Sequence, residues 1–84
     1  MIDFSKFFSG KIGIIVKTLD EAIEIIDACD EECIVVNCDQ NEYKKYPFWY
    51  VVDGVLVTSK SYENAIEHVN HVFTYQRYAF DYQI

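Results

Sequence analysis

The sequence predicts a small α+β domain: a mostly antiparallel sheet of about five strands, with two helices on one face. Three observations lead to this fold class. Short runs of apolar, β-branched residues indicate strands, and two stretches with helical apolar spacing each follow a Ser or Thr cap. Asp53 and Gly54 separate two further apolar runs, which is typical of a β-hairpin. The chain has 84 residues, of which 51% are hydrophobic and 17% aromatic, so we expect residues 1–84 to form one folded domain rather than a disordered chain.

The first half predicts a strand, a helix and a second strand. Residues 2–9 contain three Phe and are expected to form either a short helical turn or an extended arm. Residues 11–17 are nearly all apolar and predict a buried strand. Thr18 and Glu21 form a capping box that begins a helix over residues 19–29, and residues 33–37 predict the next strand. We expect these two strands to run parallel through a right-handed crossover.

The second half predicts a hairpin, a helix and a final strand. Residues 38–46 are polar and indicate a loop, which Pro47 ends. Residues 48–52 and 55–58 predict the hairpin, because Asp-Gly suits the positive φ angles of a type I′ turn. Ser59 or Ser61 is expected to cap a second helix, with its apolar stripe at Ala65, Ile66, Val69, Val72 and Phe73. Residues 77–84 alternate, which predicts a strand with Tyr78, Phe80 and Tyr82 on one face. The expected order is β-α-β-β-β-α-β.

Negative charge is concentrated in one segment, residues 20–42, which we call the acidic segment. The chain has 14 Asp and Glu against 7 Lys and Arg, and no Lys or Arg occurs from Thr18 to Tyr43. The segment holds nine carboxylates, which are Asp20, Glu21, Glu24, Asp27, Asp30, Glu31, Glu32, Asp39 and Glu42. Its spacing of i, i+4, i+7 and i+11 from Asp20 puts a stripe of charges on the first helix, about 4.5–6 Å apart along the axis.

Two interpretations of the acidic segment remain open. It can be a solvated face that keeps an acidic protein soluble, or a docking surface for a basic groove of a nucleic-acid-binding protein. A divalent-cation site is the weaker alternative, since the segment has no EF-hand spacing. The same acidity disfavours direct binding of nucleic acid and of anionic lipid.

Aromatic side chains follow the acidic segment beside two lysines. The cluster consists of Tyr43, Lys44, Lys45, Tyr46, Trp49 and Tyr50. Tyr and Trp are enriched at binding hot spots, so Tyr43, Tyr46 and Trp49 are candidate contacts to a protein partner. The alternative is that Trp49 or its neighbours belong to the core.

No motif predicts catalysis, a cofactor or a metal site. Cys29, Cys33, Cys38, His68 and His71 are potential zinc ligands, but no Cys-x2-Cys pair occurs. Cys29 and Cys33 are expected in the core, Cys38 is expected to be the most exposed thiol, and the two His are expected on a solvated face. We therefore expect a protein that is not an enzyme and binds no cofactor.

The odd number of Cys, the lack of a signal-peptide pattern and the lack of a long apolar run predict a cytoplasmic protein with reduced thiols and no membrane segment.

Residues 10–26 (GKIGIIVKTLDEAIEII) and 78–84 (YAFDYQI) resemble the opening and the tyrosine-rich end of small proteins encoded by phages and mobile elements of Gram-positive bacteria. In size, acidity and lack of catalytic motifs the chain is also similar to anti-CRISPR proteins. These resemblances imply an inhibitor of a host defence machine. No individual residue role follows from them.

The sequence as a whole favours a phage-encoded inhibitor that covers a basic DNA- or RNA-binding groove, with a Cas effector as the favoured partner. The candidate partner-binding residues are Asp20, Glu24, Asp27, Asp30, Glu31, Glu32, Asp39, Glu42, Tyr43, Tyr46 and Trp49. The alternative function is a self-associating phage accessory protein whose acidity serves solubility, so the expected state is a monomer or a homodimer. A metal-binding regulator that uses the Cys and His set is a minor third hypothesis.

Overall fold

A computed structural model describes the backbone of residues 3–83 and the side chains of residues 3–80. Within these residues the protein has one five-stranded sheet in the order β2-β4-β3-β1-β5. The elements are α1 (Ser5–Phe8), β1 (Ile12–Ile15), α2 (Leu19–Glu31), β2 (Val35–Val36), a 3₁₀ helix (Gln40–Lys44), β3 (Phe48–Val52), β4 (Val55–Ser59), α3 (Tyr62–Ile66), β5 (His71–Thr74) and α4 (Tyr75–Gln83). The predicted α+β class with about five strands is confirmed.

The sheet is mixed, with its antiparallel pairs in the centre. Strand β3 pairs antiparallel with both β1 and β4, whereas β5 runs parallel to β1 and β2 runs parallel to β4. The β3–β4 hairpin turns at Asp53 and Gly54, with φ of 51° and 77°. These positive values confirm the predicted turn chemistry. The expected parallel relation of β1 and β2 also holds, although β3 and β4 lie between them.

The sheet separates two cores because successive side chains of β3 point to opposite faces. Trp49 and Val51 join the larger core, to which α1, α2 and α4 contribute. Tyr50 joins a smaller core on the other face, where it packs with Ala65 of α3 and with Val69, which follows that helix. Both faces of the sheet are therefore covered by helices.

The two helices predicted from the sequence lie on opposite faces, which differs from the expected single helical layer. Helix α2 connects β1 to β2 toward one edge of the sheet, and α3 connects β4 to β5 toward the other edge. Both are crossovers between parallel strands. Since such crossovers share one hand, two that run in opposite directions must place their helices on opposite faces.

The C-terminal region forms a strand and then a helix, where the sequence predicted a longer helix and then a strand. Residues 71–74 pair with β1, and residues 75–83 are helical. The Thr74 Oγ1 accepts the Arg77 N–H at the start of α4. Tyr75 and Tyr78, three residues apart, both reach the larger core, and the Tyr78 hydroxyl donates to the Asp3 carbonyl. The last residue of the predicted strand, Ile84, lies outside the described residues.

The first segment adopts the helical alternative. Phe7 is fully buried and Phe4 nearly so, which anchors α1 on the larger core. Gly10 follows with φ of 79°, and a Cβ there would lie 2.8 Å from the Val51 carbonyl oxygen. The chain can therefore turn from α1 into β1 only with a glycine at this close approach.

Candidate protein-interaction surface

Helix α2 is oriented by its apolar side, which leaves its carboxylates outside. Ala22, Ile25 and Cys29 are fully buried in the larger core. The helix begins as predicted: Thr18 Oγ1 accepts the Glu21 N–H, and Glu21 Oε1 accepts the Lys17 N–H. Glu21 is thus used for capping, which favours the observed helix start.

Six carboxylates of α2 and its C-cap are exposed and form one surface, which we call the α2 acidic face. Its residues are Asp20, Glu24, Asp27, Asp30, Glu31 and Glu32. The structure records no ion pair to any of them within residues 3–83, and the last turn of α2 contains no basic residue. Like charges three or four residues apart repel, and acids near a helix C-terminus oppose the helix dipole. The helix retains these charges at a cost to its own stability.

Asp39 and Glu42 belong to the segment that packs against α2, and both stabilise the 3₁₀ helix there. They cap the 3₁₀ helix in a capping box, in which Glu42 Oε2 accepts the Asp39 N–H at 3.0 Å. Asp39 is exposed and Glu42 is half-buried. Together with burial, their charges raise the pKa of the Cys38 thiol to about 11. The 3₁₀ helix packs against α2, so these two carboxylates lie on an element next to that helix.

The aromatic candidates are less available than the sequence suggested. Trp49 is fully buried, and its Nε1 donates to the Tyr46 carbonyl at 2.8 Å, so its predicted role as a partner contact is wrong for the folded protein. Tyr43 is half-buried against the larger core. Tyr46 is half-buried with the Nζ of Lys45 and Lys60 6.0 and 5.5 Å from its ring centre. Tyr46 lines a second groove with side chains at α3, on the face of the sheet opposite α2, so it lies away from the α2 acidic face.

A groove between α1 and α2 was not predicted from the sequence. It has a volume of about 650 Å³, with Phe4, Phe8 and Ala28 among its apolar lining residues. Glu24 and Glu31 line it from α2, and Asp3 lines it from the N-terminal side. The Asp3 carboxylate accepts the Ser5 N–H, which lowers the pKa of the carboxyl. The groove escapes sequence analysis because it depends on where α1 packs, although the Phe4 and Phe8 spacing was a signal of a helical apolar side.

The Cys and His side chains do not converge. Cys29 lies on the buried side of α2, where burial, followed by Cys38 and Asp30, raises the pKa of its thiol to about 12. His68 lies on the opposite face of the sheet, where its ring stacks on Tyr50 with centroids 5.5 Å apart. Within the described part of the chain, no three His, Cys, Asp or Glu form a group able to hold a metal ion.

The thiol exposures differ from the prediction. Cys33 is exposed, although it was predicted to lie in the core. Cys38 is half-buried, so Cys33 rather than Cys38 is the most exposed thiol. Cys33 follows the C-cap of α2 with φ of 60°. It points outward because the helix ends there.

Among residues 3–83, no helix combines the length and apolar character that crossing a bilayer requires. Comparisons with protein-family models, curated proteins and solved structures find no match to this chain.

Proposed function

We propose that the protein is a non-catalytic, phage-encoded inhibitor of a host defence machine that binds nucleic acid, and specifically an anti-CRISPR protein. It acts in the bacterial cytosol. The α2 acidic face occupies an Arg- and Lys-lined groove of a Cas effector that otherwise holds DNA or RNA. The exposed Asp39, at the start of the neighbouring 3₁₀ helix, extends the contact.

The observation that carries the proposal is the concentration of unpaired charge on one helix. Six carboxylates are exposed on α2 and its C-cap without an ion pair in the described residues. A face that served solubility alone would work equally well with interleaved Lys, which would stabilise the helix by about 0.2–0.5 kcal/mol per pair. The absence of such pairs favours a surface selected to meet positive charge.

The mechanism is steric and electrostatic. Carboxylates along α2 are spaced on a scale comparable to nucleic-acid phosphates, which carry one charge per roughly 3.4 Å of each strand. Basic side chains that contact phosphates can therefore contact these carboxylates. Attraction between opposite charges accelerates association and weakens as salt is added.

The first experiment identifies the partner. Tagged protein is used to capture proteins from a lysate of a CRISPR-bearing bacterium at low and at high salt, with mass spectrometry of what is retained. The proposal expects a Cas effector that is retained at low salt and lost at high salt. Retention of no nucleic-acid-binding protein would contradict it.

The second experiment tests the surface by charge reversal against that effector. The variant Asp27→Lys with Asp30→Lys is expected to lose inhibition of DNA binding. The matched control reverses two exposed acids outside α2, Glu63→Lys and Glu67→Lys, with the same change in net charge. Equal inhibition by the two variants would exclude the α2 acidic face as the site.

Self-association is the second candidate function, and exposed aromatic side chains support it. Tyr62 and Phe80 are 53% and 64% exposed, and either could contribute to a homodimer. Sedimentation velocity across a concentration series separates the two functions, because a strict monomer excludes the homodimer.

A further inference from the structure

The groove between α1 and α2 combines an apolar lining with carboxylates of one sign. Phe4 belongs to the larger core, and Phe8 and Ala28 are partly buried beside it. Glu24, Glu31 and Glu32 line the same groove and are exposed. The described residues that line the groove include no Lys or Arg. An occupant must therefore present both an apolar side chain and positive charge.

The spacing of the carboxylates indicates the form of that occupant. Glu24 and Glu31 are two helical turns apart on one side of α2, which corresponds to a rise of about 10.5 Å. A partner helix with cationic residues at i and i+7 has the same separation. An apolar residue at i+3 or i+4 then lies between the two cations, on the same side of the helix.

We propose that this groove binds a basic amphipathic helix of the partner protein, with an apolar side chain between α1 and α2 and flanking Arg or Lys at Glu24 and Glu31. This inference rests on the proposed function and deepens it by naming the chemistry of the partner segment. The carboxylates provide attraction at a distance, and the apolar lining provides burial that salt does not screen. The groove thus adds a salt-resistant component to the acidic contact.

The test uses a panel of labelled helical peptides with Arg at i and i+7 and with Leu, Met, Phe or Trp at the intervening position. A scrambled peptide of the same composition accompanies each one. Fluorescence anisotropy gives affinities, and amide chemical shifts of the full-length protein locate binding. We expect at least one peptide to bind about tenfold more tightly than its scramble, with shifts at Phe4, Phe8 and Ala28.

Two variants of equal charge separate the groove from the general acidity of α2. Glu24→Gln with Glu31→Gln removes two carboxylates from the groove. Asp20→Asn with Asp27→Asn removes two from the same helix that do not line it. We expect the first variant to weaken binding of the amphipathic peptide about tenfold more than the second does. The two variants are expected to change the affinity for the scrambled peptide by the same factor.

Equal affinity for every peptide and its scramble, or equal effects of the two variants, would overturn the groove assignment. The charge-reversal assay on the effector then distinguishes the two proposals. Loss of inhibition in the reversed α2 variant, despite failure of the peptides, leaves the acidic surface as the site and removes only the groove. Unchanged inhibition in that assay removes both.

Discussion

Cys33 occupies a position that usually belongs to glycine. Its N–H donates to the Asp30 carbonyl, and the Ile34 N–H donates to the Cys29 carbonyl. These two bonds, with φ of 60° at Cys33, form a Schellman motif that ends α2. A residue with a Cβ is strained in this conformation, so ending the helix at Cys33 lowers the stability of the folded state.

Cys33→Gly is therefore expected to stabilise the fold. Relief of the left-handed strain exceeds the added flexibility of the unfolded chain, for a net gain of about 0.5–1 kcal/mol. Chemical denaturation of wild type and variant measures the difference. Cys33→Ala is the control, since it removes the thiol and keeps the Cβ. A Gly variant no more stable than the Ala variant would show that the backbone here carries no strain.

At the scale of the element, the residues at the start of α2 stabilise the helix, whereas the acidic residues at its end destabilise it. Thr18, Asp20 and Glu21 complement the helix N-terminus through capping and charge. Asp27, four residues before Glu31, repels it near the C-terminus, where the dipole also disfavours acids. The same end of the helix contributes Glu31 to the groove. Glu31 therefore serves the proposed binding function but destabilises the helix.

Glu31→Lys is expected to stabilise the protein at low ionic strength by about 0.5–1 kcal/mol, since it converts the repulsion with Asp27 into attraction and complements the dipole. Thermal or chemical unfolding at low and moderate salt measures the gain, which should shrink as salt is added. Asp20→Lys makes the same change in net charge at the other end and is expected to destabilise. Equal effects of both substitutions would attribute the change to net charge alone.

At the scale of the whole molecule, burial of thiol and phenol groups makes the stability of the fold depend on pH in the alkaline range. Burial raises the pKa of Cys29 to about 12 and that of Cys38 to about 11, from 9.0. Burial likewise raises the pKa of Tyr75, whose hydroxyl is buried beneath α2 with Glu24 and Glu21 nearby. In each case the folded state holds the proton more tightly than the unfolded state does.

The free energy of unfolding is therefore expected to fall as pH rises. The thiol contribution is fully present below pH 9.0, the ordinary thiol value, and is lost as pH rises through about 11–12. Denaturant titrations over this range measure the slope. Cys38→Ala should reduce this slope relative to the wild type. An unchanged slope in the variant would mean that Cys38 titrates alike in the folded and unfolded states.

Features that depend on neighbours along the chain were predictable from the sequence. The hairpin at Asp53 and Gly54 depends on the φ preferences of two residues, and the start of α2 depends on Thr18 and Glu21, which are three positions apart. The exposed charge of α2 also follows from local spacing, because a helix with one apolar side must turn its acids outward.

Other features depend on contacts between distant segments. Residues 71–83 fit either order of helix and strand by spacing alone, and pairing of β5 with β1 decides between them. Alternate side chains of β3 point to opposite faces of the sheet, and both sets are buried because helices cover both faces. This packing is what buries Trp49. The groove likewise exists only because α1 packs beside α2. Long-range packing makes these choices, since local conformations of short segments differ too little in free energy to make them alone.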